Sequence, residues 1–327
     1  MIKTYATLGP ACCKRETLCQ MLQLGLTGFR LNLSHRTLAD CRLWTQALRQ
    51  AGQDTGIRPE LIIDLRGAEL RLGTLTRPVL LRPDDTIRFG KAGLPLLDDD
   101  ILAALRPGQT MLVDDGAIEL QVVSHDGETA VCRCIRGGQL EGRKSITLPG
   151  VDIPRPAVSA ADHADLACAR DHGVTAVMQP FVRSRSDLEQ VHRALHEHDL
   201  DDLHIFAKVE DAEGLSSVSD WLDLCHMVTI ARGDLGSNLP LYDLPRAQKT
   251  IAAACRAAGK DFLVVTHLLQ SMIHAPVPTR AEVTDIYNAC LDGAAALMLT
   301  GETAQGEYGV EAVRVLLEMA RRGEADR

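Results

Sequence analysis

The sequence predicts an α/β protein, a (β/α)8 barrel (TIM barrel) with a small β-barrel domain inserted after the third strand. Short segments rich in β-branched residues alternate with helical segments along most of the chain, which is typical of a parallel sheet covered by helices. Eight such pairs can be distinguished, and eight pairs fit a closed barrel better than an open sheet. The alternation breaks between residues 72 and 155, where short strand-like segments follow one another.

The barrel elements follow from hydrophobic periodicity. The predicted strands lie at residues 3–8, 29–33, 61–65, 176–181, 204–209, 227–231, 262–266 and 295–300. The predicted helices lie at residues 15–24, 37–51, 160–171, 185–196, 212–218, 244–258, 280–291 and 310–321. We therefore assign residues 1–71 and 156–327 to the barrel and expect it to be the catalytic domain.

The inserted segment is punctuated by proline and glycine and contains few helical patterns. Its predicted strands lie at residues 86–89, 110–113, 117–123, 129–135 and 145–148, with one helix at 98–105. We predict that residues 72–155 form a separate β domain that can act as a lid. Without them about 243 of the 327 residues remain, close to the ~250 typical of this barrel.

Composition narrows the function classes. Hydrophobic content of 46% and charged content of 24% are typical of a soluble globular protein. The net charge of −9 argues against a nucleic-acid partner, and no apolar run approaches the ~20 residues of a membrane span. The ten cysteines lack zinc-site spacing, and the N-terminus does not look like a signal peptide, so we expect a cytoplasmic protein with reduced thiols.

Candidate site residues are the polar ones at the C-terminal ends of the strands, where such barrels carry their active sites. The second strand ends in RLNLSH at residues 30–35, which places Arg30, Asn32 and Ser34 on one face. A cation, an amide and a hydroxyl could together bind an anion or a hydrated ion. The alternative is that these polar side chains only fill the interior of the barrel. The third strand leads into DLRGAELR at residues 64–71, which can also be a merely solvated strand end.

Two further strand ends carry charged side chains. Lys208 and Glu210 share a face of the fifth strand, an arrangement that is costly unless the charges are paired or used. A structural ion pair is the alternative. Gly233 and Asp234 follow the sixth strand, where glycine permits close approach to a ligand and a helical turn could bind an anion. Asp234 would then face the same cavity as Glu210, and two carboxylates beside a substrate suit Mg²⁺.

The last two strands end in threonines, which can donate hydrogen bonds. The seventh ends in Thr266 and His267, and the eighth in TGET at residues 300–303. A histidine such as His267 is more often packed or solvated than catalytic. The chain contains no GxxxxGK[ST] phosphate loop, so a nucleotide would have to be bound in another way.

Taken in this order, these segments resemble the pyruvate kinase family over nearly the whole chain. The matching segments are TLGPA at residues 7–11, RLNLSH at 30–35, DLRGAELR at 64–71, PAVS at 156–159, AKVE at 207–210, IARGDLG at 230–236, TRAE at 279–282 and MLTGETA at 298–304. The resemblance implies a glycolytic phosphotransferase that converts phosphoenolpyruvate and ADP into pyruvate and ATP. It also implies Mg²⁺ (or Mn²⁺) and K⁺ as cofactors.

The resemblance also implies residue roles. Arg30 and Lys208 would bind the substrate phosphate, and the substrate carboxylate would meet Thr266 and the backbone of Gly233 and Asp234. The catalytic residues would then be Lys208, Arg30 and Thr266. The implied Mg²⁺ ligands are Glu210 and Asp234, and the implied K⁺ ligands are Asn32, Ser34, Asp64 and the carbonyl of Leu65, with Glu69 at the position associated with K⁺ dependence. The implied nucleotide contacts are Asn32, Ser34, His35, Arg71, Arg143 and Lys144.

Several residues depart from the family pattern. Arg36, Leu65, Ala68, His267, Gln305 and Gly309 stand where the family usually has Gly, Thr, Pro, Gln, Lys and Pro, respectively. Three of them, Arg36, Leu65 and His267, fall where the nucleotide and K⁺ should bind. A pyruvate kinase of minimal form is therefore the first hypothesis. A related phosphoenolpyruvate or 2-oxoacid enzyme with another acceptor or enolate chemistry, and a non-catalytic phosphoenolpyruvate-binding paralogue, are the alternatives.

The sequence ends just after the eighth predicted barrel helix. We therefore expect a short form without the family's C-terminal regulatory domain and without the regulation by a sugar bisphosphate that this domain provides. The oligomeric state, dimer or tetramer, stays open.

Overall fold

Eight parallel strands close into a barrel in the computed structural model, which describes residues 1–34, 36–94, 96–114, 116–151 and 153–327. Two compact units can be distinguished. The first consists of Met1–Gly67, Pro156–Leu235 and Asp243–Arg327, and the second of Ala68–Arg155 with Gly236–Tyr242. The first unit contains the barrel.

The strands of the barrel follow the order β1-β15-β14-β13-β12-β11-β3-β2, with strands numbered along the chain. They are β1 (Lys3–Thr7), β2 (Gly28–Asn32), β3 (Glu60–Asp64), β11 (Ala176–Gln179), β12 (His204–Val209), β13 (Met227–Ala231), β14 (Asp261–Val265) and β15 (Ala296–Leu299). The predicted barrel is confirmed, and each strand lies within two residues of its predicted bounds.

Helices surround the barrel between these strands. They are α1 (Arg15–Leu24), α2 (Arg42–Thr55), α4 (Ala160–Leu166), α5 (Ala169–His172), α6 (Arg185–Glu197), α7 (Ala212–Ser217), α8 (Arg232–Asn238), α9 (Leu244–Ala257), α10 (Arg280–Leu291), α11 (Gly301–Ala304) and α12 (Gly309–Ala325). Short 3₁₀ helices lie at Ala39–Cys41, Val218–Asp220, Leu222–Leu224, Leu241–Asp243 and Gln270–Ile273.

The structure differs from the predicted helices in three places. The helix predicted at residues 160–171 is divided into α4 and α5, because Cys168 leaves the helical region at φ −112° and ψ 5°. The helix predicted from residue 37 begins as a 3₁₀ turn and becomes α-helical at Arg42. Two short helices, α8 and α11, start almost directly after barrel strands. The periodicity of so few residues did not distinguish them from loops.

The interior of the barrel is apolar along most of its length and becomes polar near the C-terminal ends of the strands. The apolar cluster consists of Tyr5, Ile62, Ala176, Met178, Phe206, Met227, Ala231, Leu263, Val265, Ala296 and Met298. Side chains alternate between the two faces of a strand, so the next inward position after Tyr5, Ile62 and Phe206 is two residues on. Those positions are Thr7, Asp64 and Lys208, and this change in polarity locates the candidate site.

The second unit contains two antiparallel sheets. One has five strands in the order β10-β6-β7-β8-β5, and the other pairs β4 with β9. Its elements are β4 (Val79–Leu81), β5 (Thr86–Gly90), α3 (Asp99–Ala104), β6 (Thr110–Val113), β7 (Ile118–His125), β8 (Thr129–Arg136), β9 (Gly138–Leu140) and β10 (Ile146–Thr147). A core of its own, which includes Phe89, Met111 and Leu120, packs inside this unit. The sequence did not predict β4 and β9, which are three residues each.

No helix within the described ranges is long and apolar enough to cross a membrane.

Candidate active site

Four charged side chains meet at the C-terminal ends of β2, β3 and β12. Arg30 donates to Asp64 through Nε at 2.9 Å and through Nη2. Lys208 Nζ lies 3.1 Å from Asp64 Oδ1 and donates to Oδ2 at 3.2 Å. The same Nζ lies 3.0 Å from Glu210 Oε1. Two cations and two carboxylates thus form one continuous buried network.

Backbone and hydroxyl groups fix the ends of this network. Phe181 donates its N–H to Glu210 Oε2 at 2.8 Å, from a left-handed backbone with φ 49°. At the other end, Arg30 Nη1 donates to Thr7 Oγ1 at 3.2 Å, and that hydroxyl donates to the carbonyl of Leu299 at 3.0 Å. The charged groups are therefore held in fixed positions rather than solvated at a strand end.

Burial and neighbouring charges set the protonation states. Burial would lower the pKa of Lys208, but Asp64 and Glu210 outweigh it, and the pKa lies well above its ordinary value. Burial would raise the pKa of Asp64, yet Lys208 and Arg30 hold it below its usual range. Burial raises the pKa of Glu210. Lys208 is therefore cationic and Asp64 anionic at neutral pH.

A strained turn follows β14 beside this cluster. Thr266 and His267 both have left-handed backbones, with φ of 76° and 55°. Arg232, the first residue of α8, donates to the carbonyl of Thr266 from Nε at 3.1 Å and from Nη2 at 2.7 Å. A Cβ on Gly233 would lie 3.1 Å from Thr266 Cγ2, so glycine allows α8 and this turn to approach each other. Thr266, Gly233 and the adjacent Asp234 are thus brought together.

The oxygen donors predicted for K⁺ lie on neighbouring strands. Asn32 and Asp64 are register partners on β2 and β3, and Asn32 Oδ1 accepts from the N–H of Ser34 at 3.0 Å. The N–H of Leu33 donates to the carbonyl of Asp64 at 3.2 Å. Leu65 follows directly and is buried.

Three predicted nucleotide contacts, Arg71, Arg143 and Lys144, belong to the second unit. Arg71 forms a two-pronged contact with Glu69 at 2.8 and 2.6 Å and donates to the carbonyl of Arg143 at 2.6 Å. Arg143 itself is exposed and left-handed, with φ 63°. Lys144 Nζ lies 3.1 Å from Asp114 Oδ1. His35 lies outside the described residues.

Metal-ligand geometry is sparse in the described part of the chain. There, no group of three or more His, Cys, Asp and Glu side chains could hold a metal ion. Asp234 is close enough to Lys208 to contribute to its raised pKa, after Asp64 and Glu210. The carboxylates of Glu210 and Asp234 therefore act on the same ammonium group.

Three contributors were not assigned a role from the sequence. Arg232 stood inside the IARGDLG motif, and its burial at 9% exposure could have been inferred from its place directly after a buried strand. Thr7 shares the inward face of β1 with Tyr5, so strand alternation alone would have indicated it. No sequence signal identifies Phe181, because its contribution is a backbone N–H.

Comparison with known proteins places these residues in a family. The family model described as pyruvate kinase, barrel domain, matches residues 1–313. A pyruvate kinase of Aeropyrum pernix is 37% identical over 323 residues, which cover 98% of this chain and 70% of that protein. A pyruvate kinase of Mycobacterium intracellulare is 35% identical over 96% of this chain and 68% of its own length.

A pyruvate kinase of Bacillus licheniformis is 32% identical over 98% of this chain and 57% of its own length. This chain thus spans 57 to 70% of the length of these relatives, and the part it spans includes the barrel. On the extent of these matches, the chain belongs to the pyruvate kinase family and is a phosphotransferase of that type.

Proposed function

We propose that this protein transfers the phosphoryl group of phosphoenolpyruvate to ADP, giving pyruvate and ATP, with Mg²⁺ and K⁺ as its ions. The observation that carries the proposal is the buried network of Arg30, Asp64, Lys208 and Glu210 in a chain of this family. Buried charges of this density cost folding free energy unless they are paired or used. They stand where barrel enzymes carry their active sites.

Arg30 and Lys208 are the proposed phosphoryl-binding residues. Both contact the carboxylate of Asp64, so an incoming phosphate competes with Asp64 for two cations. Phosphoryl transfer needs alignment and positive charge around a dispersed negative charge more than covalent help. Lys208 has a raised pKa and keeps its charge over the physiological range, which supports its role in stabilising the group in transfer.

Thr266, Gly233 and Asp234 are the proposed carboxylate-binding residues. The basis is that Gly233 and Asp234 lie in the first turn of α8, where a Cβ on Gly233 would lie 3.1 Å from Thr266 Cγ2. A hydroxyl and backbone N–H groups suit a carboxylate, because they can donate several hydrogen bonds to it at once. This would orient the substrate with its phosphate toward Lys208.

The ions are assigned by donor chemistry. Glu210 and Asp234 are proposed to hold Mg²⁺ or Mn²⁺, and the oxygens of Asn32, Ser34, Asp64 and Leu65 are proposed to hold K⁺, because hard cations prefer oxygen ligands. The fit is supported by Asp64 Oδ1, which is buried near Lys208 without the geometry of a hydrogen bond and so retains accepting capacity. When bound, the divalent ion would supply positive charge to the phosphoryl oxygens.

The nucleotide contacts are proposed on chemistry alone. Asn32, Ser34 and His35 offer polar groups, and Arg71, Arg143 and Lys144 offer cations that suit a diphosphate. Residues 72–155 as a lid, and residues 1–71 with 156–327 as the catalytic domain, belong to the same proposal.

A coupled pyruvate assay with phosphoenolpyruvate, ADP, Mg²⁺ and varied K⁺ tests this function. Lys208→Met should lower kcat about 10²–10³-fold, the typical effect of removing one group that stabilises developing charge. Lys260→Met is the matched control. Lys260 is a partly buried lysine that donates to the carbonyl of Cys225 at 2.6 Å, and it lies directly before β14, at the N-terminal end of that strand.

The same assay separates the alternatives. Pyruvate formed only with ADP supports the proposal. Pyruvate formed without ADP would indicate another acceptor or enolate chemistry, and binding of phosphoenolpyruvate without turnover would indicate a binding protein. Near-normal turnover of Lys208→Met would remove this residue from the mechanism.

A further inference from the structure

The turn after β14 adopts a conformation that its residues disfavour. Thr266 and His267 have φ of 76° and 55°, and neither is glycine. A β-branched residue at positive φ is an outlier, because its Cβ crowds the neighbouring carbonyl. Such strain persists where surrounding groups hold the backbone in place. The group that does so is therefore of interest.

Arg232 is that group. Its guanidinium donates three hydrogen bonds to the strained turn: two to the carbonyl of Thr266, at 3.1 and 2.7 Å, and one to the carbonyl of His267, at 3.2 Å. Its Nη1 contacts Asp285 Oδ2 on α10 at 2.6 Å. The fixed fork of a guanidinium can make all these contacts at once, whereas a lysine ammonium cannot.

Arg232 also belongs to α8, the helix that carries two of the residues proposed to bind the substrate carboxylate. It is followed by Gly233 and Asp234 in the first turn of α8. The place of a Cβ on Gly233 is 3.1 Å from Thr266 Cγ2 and 3.8 Å from Thr266 Oγ1. One side chain thus ties the end of β14 to the start of α8, at the point where a side chain on Gly233 would crowd Thr266.

We propose that Arg232 is a positioning residue that holds the Thr266–His267 backbone left-handed and thereby directs the Thr266 hydroxyl toward the Gly233–Asp234 corner. This inference rests on the proposed function, in which that corner receives the substrate carboxylate. Arg232 does not touch substrate in this mechanism. Asp285 orients Arg232 from α10.

The test combines kinetics with direct binding. For Arg232→Met we expect kcat/KM for phosphoenolpyruvate to fall about 100-fold, the effect of a ~1 Å misplacement of an active-site group. The KM for ADP should stay within about twofold, because Arg232 contacts Thr266, His267 and Asp285, none of which is a proposed nucleotide ligand. Titration calorimetry with oxalate and Mg²⁺, which needs no turnover, should show affinity weakened about tenfold by loss of a well-placed donor. Arg185→Met is the matched control, since Arg185 also joins a carbonyl, Asp220, to a carboxylate, Asp223.

A second substitution separates positioning from stability. Glycine adopts positive φ without steric cost, so His267→Gly should remove part of the backbone strain that the contacts of Arg232 offset. In the Arg232→Met background, the His267→Gly substitution should restore about tenfold of the lost kcat/KM and oxalate affinity, because it lowers the backbone strain that Arg232 no longer offsets. His267→Gly alone measures the loss of the imidazole.

Three outcomes overturn the proposal. One is an Arg232→Met protein that melts earlier but binds oxalate like the wild type. Another is a loss that His267→Gly does not reduce, and the third is wild-type protein that binds no oxalate. Wild-type protein that binds oxalate but does not transfer phosphate to ADP overturns the proposed function instead, and the binding series still decides the role of Arg232.

Discussion

Asp64 is the residue on which the polar layer of the barrel depends, because its single carboxylate contacts both cations. Arg30 and Lys208 come from different strands and would face each other as buried positive charges without it. Removing one partner of a buried ion pair typically costs about 3–5 kcal/mol. Loss of activity in an Asp64 variant would therefore mix unfolding with lost chemistry, and Lys208 and Arg232 are better positions at which to test the mechanism.

His226 is a second residue whose protonation state the structure determines. Its Nδ1 accepts the N–H of Ile205 at 2.9 Å, which requires that nitrogen to be unprotonated. Its ring stacks on His204, with centroids 4.4 Å apart. Burial, then the charges of His204, Lys260 and His192, lower the pKa of His226 in the folded protein. The neutral ring is thus the form that fits the fold.

The sign of the resulting pH dependence follows from that lowered pKa. The unfolded chain binds the proton more readily than the folded one, so the contribution of His226 to stability is present above pH ~6.5 and is lost as the pH falls below it. We expect the urea midpoint of the wild type to drop more between pH 7.5 and 5.5 than that of His226→Ala. His274→Ala, at an exposed position, is the control that should keep the wild-type pH dependence. Equal pH dependence in the wild type and His226→Ala would contradict the assignment.

Single residues show what sequence patterns can and cannot predict. Strand alternation predicted that Lys208 and Glu210 share a face, and they lie 3.0 Å apart. The contact of Lys208 with Asp64 joins residues 144 positions apart, which no local pattern encodes. The turn at Thr266 was missed because a local pattern misled the prediction. Threonine favours strands, so the pattern extended β14 by one residue into a left-handed segment.

Among the elements, α4 is held by an acidic residue that also contacts another segment of the chain. Asp162 accepts from Ser159 N at 2.8 Å in a capping box at the start of α4. Its carboxylate also accepts from the N–H groups of Arg66 at 2.7 Å and Gly67 at 3.0 Å, just after β3. The side chain is fully buried. One carboxylate therefore fixes both the start of a helix and the end of the segment that leaves a strand.

Substitution of this acid should cost more than loss of a helix cap. Asp162→Ala removes the helix cap and also leaves the backbone N–H groups of Arg66 and Gly67, which lie in partly buried residues, without their acceptor, and we expect the free energy of unfolding to fall by about 3 kcal/mol. Asp187→Ala removes the equivalent capping-box acid of α6, which accepts from neighbouring N–H groups at Arg183 and Ser184, and should cost about 1 kcal/mol. Urea denaturation of both variants measures the difference. Equal losses would show that the contacts to Arg66 and Gly67 contribute no stability.

Most elements of at least four residues were predictable, and among the shorter strands only β10 was. Helices α1 and α10 lie at their predicted bounds, whereas α2 and α12 each end four residues later than predicted. The strands β4 and β9 pair with each other across residues that are far apart in sequence, and three residues carry too little alternation to reveal them. The short helices α8 and α11 are determined by the strands they follow rather than by their own propensity.

Each of the two units has a hydrophobic core of its own among the described residues. The barrel core includes Leu263, and the core of the second unit includes Leu120; both side chains are fully buried. The two tryptophans, Trp44 and Trp221, both belong to the first unit. Tryptophan fluorescence therefore reports on the barrel alone, while far-ultraviolet circular dichroism reports on both units.

This division predicts two unfolding steps in urea. A smaller unit buries a smaller fraction of its surface, so the second unit should unfold first, and the dichroism signal should begin to change before the fluorescence does. Leu120→Ala should move the early phase alone and Leu263→Ala the fluorescence phase, each by about 2–5 kcal/mol, the typical cost of deleting a buried leucine side chain. Coincident curves for both probes, shifted together by either substitution, would show instead that the two cores unfold as one cooperative unit.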